Sequence, residues 1–391
     1  MEYTDSVELR HLADARVKKN TRVILRADLD VGVKDEKIAD DFRLRAGVPT
    51  LRFLLRRGAR IRMVGYLGRP QGKRDEKLTL GPVARRLRVL LGQNVVLLRD
   101  PFSREMIQRY QKSGDILLFE NIRFWPEEIS CRLSFARRIA RWGDCYVNEA
   151  FANSHRREAS LVAVPRLLPS YAGLRLSQEI AALEKAMARP KRPLIAIFGG
   201  VKMETKLPLI RRFLREADQV LVGGALANTL LALMGRRIGK SVADTGEPGA
   251  RSFLKSRKLC LPSDVVVADA LGARAGSLVR RVEDVRGEEY IVDIGPASRR
   301  RFTSLLSGAK TVVWNGPLGF AEVREFAKGT IAAAKAVQKV KGFTVVGGGD
   351  TLAALGRYKL LKGFNHVSTG GGAMLEFLAG RKLPGIEALK R

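Results

Sequence analysis

PLIAIFGG (Pro193–Gly200), QVLVGG (Gln219–Gly224), KTVVWNGPLG (Lys310–Gly319) and FTVVGGGDT (Phe343–Thr351) are four short apolar runs, and each one ends in glycine. Such runs read as strands of a parallel α/β sheet, buried on both faces. Ligands of such sheets bind at the carboxyl ends of the strands. Glycine there lets a backbone approach a phosphate, and helix N-termini supply N–H donors to it. A fifth cluster, HVSTGGGA (His366–Ala373), opens a helix. One such turn would carry little weight. Five in one half of a chain point to a polyphosphate seat, most simply a nucleotide.

The first half ends its strands differently. RVILRADLD (Arg22–Asp30) closes on carboxylates, RIRMVGYLGRP (Arg60–Pro70) reaches Arg69, and DILLFENIRF (Asp115–Phe124) reaches Arg123. CYVNEAFANSHR (Cys145–Arg156) leads to His155 and Arg156. A lone strand-end arginine is ordinarily a solvated side chain. Several at equivalent positions of one sheet read as a site for a small, doubly anionic ligand, because the guanidinium fork matches carboxylate and phosphate.

The order strand–helix–strand throughout gives an α/β fold of two doubly wound parallel-sheet domains, as 391 residues also suggest. Asp41–Arg57 and Leu78–Leu91 read as helices stopped by Gly58 and Gly92. The pattern thins between Glu158 and Leu176. Ser177–Arg189 then reads as an amphipathic helix with Ser177 as its N-cap, joining the two domains. No 18-residue apolar run predicts a membrane span, and the amino-terminal twenty residues lack an apolar signal core. Cys131, Cys145 and Cys260 are unpatterned, with Cys131 and Cys145 placed in helix and strand interiors. A reducing, cytoplasmic setting follows. The net charge of +31 either draws anionic substrates or binds nucleic acid. The absence of zinc spacing, of an RNA-recognition signature and of basic–aromatic interleaving argues against nucleic acid.

An arginine-lined anion site in one domain and a glycine-lined phosphate seat in the other suggest phosphoryl transfer, which needs positioning and charge neutralisation more than covalent help. Lys202 follows the GG turn and is placed to neutralise a transferring group; Lys206 lies four residues on. Either lysine alone could be a solvated side chain. Asp350 follows three glycines and is read as a Mg²⁺ ligand, the plainer alternative being a helix N-cap. There is no Walker A sequence and no complete G-x-G-x-x-G.

RADLD, DDFRLRAGVPT, YLGRPQG, LFENIRF, NEAFANSHR, IFGGVKMETK, VVWNGPLGFAE, VVGGGDT, HVSTGGGA and LPGIEAL resemble, in order and over nearly the whole length, the blocks of the phosphoglycerate kinase family. The resemblance implies two Rossmann-like domains joined by a hinge helix, with the C-terminal tail returning to the first. The implied boundaries are 1–176 completed by 376–391 for the acid substrate, 177–189 for the hinge and 190–375 for the nucleotide. It implies formation of ATP and 3-phosphoglycerate from ADP and 1,3-bisphosphoglycerate, reversibly and with Mg²⁺; a monomer is expected. On that resemblance Asp28, Asp30, Arg43, Tyr66, Arg69, Arg123 and Arg156 fall in the acid site. Arg43 and Lys202 are catalytic, with Gly371 and Gly372 at the helix N-terminus that receives the phosphoryl group. Lys202, Lys206, Gly223, Gly224, Asn315, Glu322, Gly348, Gly349, Asp350 and Thr351 fall on the nucleotide side, Asp350 at the metal.

The departures cluster on the acid side. Asp30 stands for a usual Asn, Gly32 for Pro, Tyr66 for His, Glu149 for Asp, Ala152–Asn153 for Gly–Thr and Glu158 for a second His. Asp30 and Tyr66 are read together as a remodelled contact that still accepts 3-phosphoglycerate. Two alternatives follow: a paralogue that keeps its ATP site but takes another acid, or a basic nucleic-acid-binding protein on a kinase fold.

Overall fold

The computed structural model describes residues 8–110, 116–244, 248–272 and 275–390. Residues 1–7 of the amino-terminal stretch, Asp115 and Arg391 lie outside the described residues. The chain divides into two compact units, Met1–Ala181 with Arg381–Arg391, and Ala182–Gly380.

The first unit contains strands β1 (Arg22–Arg26), β2 (Val33–Lys34), β3 (Lys37–Ile38), β4 (Arg60–Val64), β5 (Val95–Leu98), β6 (Ile116–Phe119), β7 (Cys145–Asn148) and β8 (Ser170–Ala172). Six of them form one parallel sheet in the order β5-β6-β4-β1-β7-β8, while β2 and β3 make a separate hairpin. β1 sits in the middle because Val23, Ile24 and Leu25 are apolar on both faces and all are buried. Its carboxyl end therefore emerges at the centre of the sheet edge, where Asp28 and Asp30 lie. The final segment belongs to this unit too. The Gly385 N–H donates to the Ser154 carbonyl at 2.8 Å, and Ala388 packs on Leu161 and Val162.

The second unit contains β9 (Leu194–Phe198), β10 (Gln219–Val222), β11 (Leu259–Cys260), β12 (Asp264–Ala268), β13 (Ser277–Arg281), β14 (Tyr290–Ile294), β15 (Thr311–Asn315), β16 (Phe343–Gly347) and β17 (His366–Ser368). β11-β10-β9-β15-β16-β17 is a second parallel sheet. The two parallel sheets bear out the α/β fold class. Strand–helix alternation does not hold throughout, however: β13-β12-β14 is an antiparallel sheet. The link between β12 and β13 is too short for a crossover helix. β13 is almost wholly exposed and so lacks the apolar signal of a buried strand.

Local readings shift in three more places. The helix expected at Ser177–Arg189 runs Leu174–Met187, and the boundary between the units falls inside it. Its first amides are capped from far along the chain: Leu174 N–H donates to Thr50 Oγ1 at 3.1 Å and Arg175 N–H to Glu149 Oε1 at 3.0 Å. Ser177 is thus not the cap; its hydroxyl meets His11 Nδ1 at 2.9 Å. Cys131 lies in a turn at φ +53°, half-buried, rather than inside a helix. The thin stretch before the helix holds a π-turn, Ala159–Ala163, and the edge strand β8. Among the described residues no helix is long and apolar enough to cross a membrane.

Candidate active site

At the carboxyl edge of the first sheet, Arg43 opens the helix Phe42–Arg56 and donates to Asp28 Oδ1 at 3.3 Å. The other Asp28 oxygen, Oδ2, is buried and has no partner. Burial raises the Asp28 carboxyl, with Arg43 opposing it, while the Asp28 charge holds Arg43 above its ordinary value. Asp30 Oδ1 accepts the Gly68 N–H at 2.9 Å, so the carboxylate fastens the loop that carries Arg69. Arg69 is exposed and Arg156 half-buried, its Nε buried without a partner; neither makes an ion pair among the described residues.

Tyr66 and Arg123 take different places from those anticipated. Tyr66 is buried, and its hydroxyl accepts from Asn153 Nδ2 at 2.8 Å rather than meeting Asp30. Its ring lies 3.2 Å under the Arg123 guanidinium, with Arg26 over the same ring at 5.3 Å. Arg123 is only 5% exposed and is paired with Glu158. Three of the departures noted above, Tyr66, Asn153 and Glu158, thus meet in one cluster. Sequence reasoning had passed over Arg26 within RVILRADLD. Fully buried, it donates to Ser160 Oγ, to Asn153 Oδ1 and to the Ala27 carbonyl. No local signal marks a buried arginine whose side-chain partners, Ser160 and Asn153, lie more than a hundred residues away.

Glu128 closes the same network through Ser160. Burial pushes its carboxyl to about 7 from an ordinary 4.5. The native chain then keeps a proton that the unfolded chain has lost between those pH values, so stability falls as pH rises through that window. Glu128→Gln should flatten the decline by on the order of 2 kcal/mol between pH 5 and 8. Guanidinium unfolding at stepped pH checks this; an unchanged slope would show that Glu128 does not hold the proton.

In the second unit the glycine turns serve a purpose the sequence did not reveal. Gly199 and Gly200 donate to the Asn315 and Pro317 carbonyls, and Gly223 and Gly224 to those of Phe198 and Leu318. These N–H groups are spent on packing one strand-end turn against the next. A Cβ on Gly199 would overlap the Pro317 carbonyl, and one on Gly316, at φ +96°, the Gly199 carbonyl. Gly348, at φ +100°, passes the Asn315 amide, which donates to the Gly347 carbonyl; Thr351 Oγ1 accepts the Gly316 N–H at 2.6 Å. Gly349 and Gly371 instead face open space, Gly371 just ahead of the helix that begins at Gly372.

Beside these turns lies an open cleft of about 230 Å³. Gly224, Glu322 and Asp350 line it together with Val201, Val242, Leu271, Tyr290 and Phe320. The apolar walls suit a planar ring; Val201 and Phe320 lie inside blocks quoted above, whereas Val242, Leu271 and Tyr290 come from stretches without a motif. Lys202 is exposed just ahead of the helix Met203–Glu216. Lys206 is buried, its ammonium donates to the Gly199 carbonyl, and burial lowers it to about 8 while Asp350 opposes. Among the described residues no three His, Cys, Asp or Glu side chains gather as a metal site. The exposed Asp350 carboxylate fits an ion that takes its other ligands from phosphate and water.

Comparison with known proteins adds to this geometry. A family model described as phosphoglycerate kinase matches residues 12–381. The chain is 43% identical over 378 residues to a phosphoglycerate kinase of Moorella thermoacetica, covering 95% of this chain and 96% of that protein. It is 42% identical over 390 residues to one of Thermomicrobium roseum, covering 97% and 99%. The phosphoglycerate kinase structure from Coxiella burnetii superposes with a TM-score of 0.87 at 38% identity, over 98% of this chain and 99% of that one. The one from Pyrococcus horikoshii gives 0.86 at 33%, over 97% and 98%.

Proposed function

The chain belongs to the phosphoglycerate kinase family, and on that premise we propose how its residues carry the family's reaction. That reaction is reversible phosphoryl transfer between 1,3-bisphosphoglycerate and ADP, giving 3-phosphoglycerate and ATP. In the ATP-consuming direction a carboxylate oxygen of 3-phosphoglycerate attacks the γ-phosphorus. The new P–O bond forms as the bond to the ADP oxygen breaks, and no proton need move at the reacting atoms.

Arg43, Arg69 and Arg156 hold the anionic acid, and the unpartnered Asp28 Oδ2 accepts from its hydroxyl. The apolar cleft takes the base, with Glu322 toward the ribose, and Gly348–Thr351 face the phosphates. Asp350 is the residue that would hold Mg²⁺ against the nucleotide phosphates, where the ion supplies charge neutralisation. Lys202 and Arg43 neutralise charge on the moving group, and Gly371 and Gly372 offer it amide donors. The carrying observation is that a buried carboxylate oxygen without a partner sits beside Arg43 at the edge of the first sheet, while at the edge of the second sheet an apolar cleft is lined in part by Asp350.

A coupled assay with ATP and 3-phosphoglycerate tests the reading. ADP formation that needs 3-phosphoglycerate is expected; ATP binding without turnover would overturn it. Asp30→Asn should lower KM for 3-phosphoglycerate by up to about tenfold, because the amide keeps the oxygen that accepts from Gly68 while removing a charge that repels the acid. KM for ATP should not move. A raised KM for the acid would show that the carboxylate itself is required.

A further inference from the structure

Leu318, Gly319 and Phe320 form one wall of the apolar cleft, and two supports hold them. Leu318 is held from the helix Lys328–Val337, where Thr330 Oγ1 accepts its N–H at 2.9 Å. Phe320 is held from β14, where the Val292 carbonyl accepts its N–H at 2.7 Å. Val292 is the extra residue of a bulge: Val266 and Val267 of β12 pair with Asp293 and Ile291, and Val292 is passed over. Bulges re-aim the side chains beside them. The side chain beside this one is Asp293, only 2% exposed. Its Oδ1 accepts the Ile294 N–H on β14 at 2.8 Å, and its Oδ2 accepts the Gly329 N–H, at the start of the helix, at 2.7 Å. Gly319 and Gly329 both press on this carboxylate, and a Cβ on either would overlap Oδ1. Burial pushes the carboxyl up to about 7, opposed by the two N–H donors and by the charges of Arg299 and Lys328. An apolar residue would be cheaper to bury but would leave the Gly329 N–H without its acceptor.

We propose that Asp293 is a positioning residue for the nucleotide base: it joins the two supports, so that the wall Leu318–Phe320 stands in place before a ligand arrives. This rests on the reading above that the cleft takes the base. The Leu318 and Phe320 amides point back into the supports, so what the wall offers a ligand is apolar surface. Such surface contributes most to affinity when it is already ordered, because the cost of ordering then falls on folding and not on binding. Asp293 is the link that makes the two supports one. It lies on β14 beside Val292, and it grips Gly329 beside Thr330. Lys202 and the turn Gly348–Thr351, which face the phosphates, belong to other segments, so the effect of Asp293 falls on the base.

Calorimetry on the full chain with three probes tests this. The probes are ADP, adenosine, which has the base without phosphates, and tripolyphosphate, which has phosphates without the base. Asp293→Asn keeps the shape but turns an amide donor toward one of the two N–H groups. It should weaken ADP and adenosine binding about tenfold each and leave tripolyphosphate binding unchanged. In steady-state kinetics KM for ATP should rise, with kcat and KM for 3-phosphoglycerate close to wild type. A general loosening of the fold would instead weaken all three probes alike. Phe320→Ala removes part of the wall itself and should also weaken adenosine. The wild-type chain gives a further readout that stands even where Asp293→Asn does not fold. Adenosine should shift the amide resonance of Gly329, behind the wall, and tripolyphosphate should not. Unchanged adenosine binding in Asp293→Asn, equal losses for all three probes, or a Gly329 amide that does not respond to adenosine would overturn the proposal. If the wild-type chain binds no adenosine, or Phe320→Ala binds it as well as wild type, the base-site reading falls and this proposal with it. Wild-type binding that Phe320→Ala weakens, with any of those three results, overturns this proposal alone.

Discussion

Lys202→Ala is expected to lower kcat by about 10²–10³-fold, the loss that follows removal of one donor aimed at developing charge. KM for ATP should stay within about twofold. The contrast with Lys206 is the reason. Lys206 is buried against the Gly199 carbonyl, and its charge is partly spent on the turn it supports. Lys202 is exposed, four residues earlier on the same segment, and its ammonium has no partner among the described residues. Only its backbone is engaged, the carbonyl accepting from Thr205 Oγ1. A cation with no structural duty at the foot of the Gly199–Gly200 turn is free to follow charge as it moves. Steady-state kinetics in both directions check this, and near-normal kcat would remove Lys202 from the mechanism.

Gly316→Ala is expected to destabilise the second unit by about 4 kcal/mol, from left-handed strain and overpacking together. At φ +96° an alanine is strained whatever the space around it, and its Cβ would overlap the Gly199 carbonyl. That carbonyl is fixed, since it receives Lys206, and Gly199 N–H donates to the neighbouring Asn315 carbonyl. Neither backbone can retreat without breaking the pairing of β9 with β15 at their ends. Gly349→Ala is the control. Its Cβ would meet nothing within 4 Å and it lies in the first turn of a helix, so stability should change by less than about 1 kcal/mol. Denaturant unfolding of both variants decides the matter; equal losses would mean that the close crossing of turns is not what requires glycine at 316.

These two glycines show how far the chain could be read in advance. Continuous apolar runs such as Leu194–Phe198 announce buried parallel strands, because burial on both faces leaves no polar residue to interrupt them. The glycine-ended runs mark the strand ends beside which the apolar cleft lies. Yet Gly199, Gly224 and Gly316 answer to a neighbouring backbone and not to open space, a distinction that depends on which strands are adjacent. β13 escaped notice because its exposed residues carry no apolar period. The start of the helix Leu174–Met187 escaped because Thr50 and Glu149 supply its caps. On the acid side the strand-end arginines stood out, but whether an arginine is free depends on what lies opposite. For Arg123 that is Glu158, thirty-five residues on.

The return of the final segment to the first unit has a consequence for the order of synthesis. Residues 182–380 leave the ribosome as an unbroken stretch, and the second unit has its whole chain before the first does. The first unit, begun earlier, waits for Leu383, Ile386 and Leu389, which are buried in the finished protein. Until residues 381–390 emerge, Leu161 and Val162 lack the cover of Ala388. Of the two units, the one begun first is therefore completed last, and a ribosome stalled just past Gly380 leaves it, rather than its successor, unfinished.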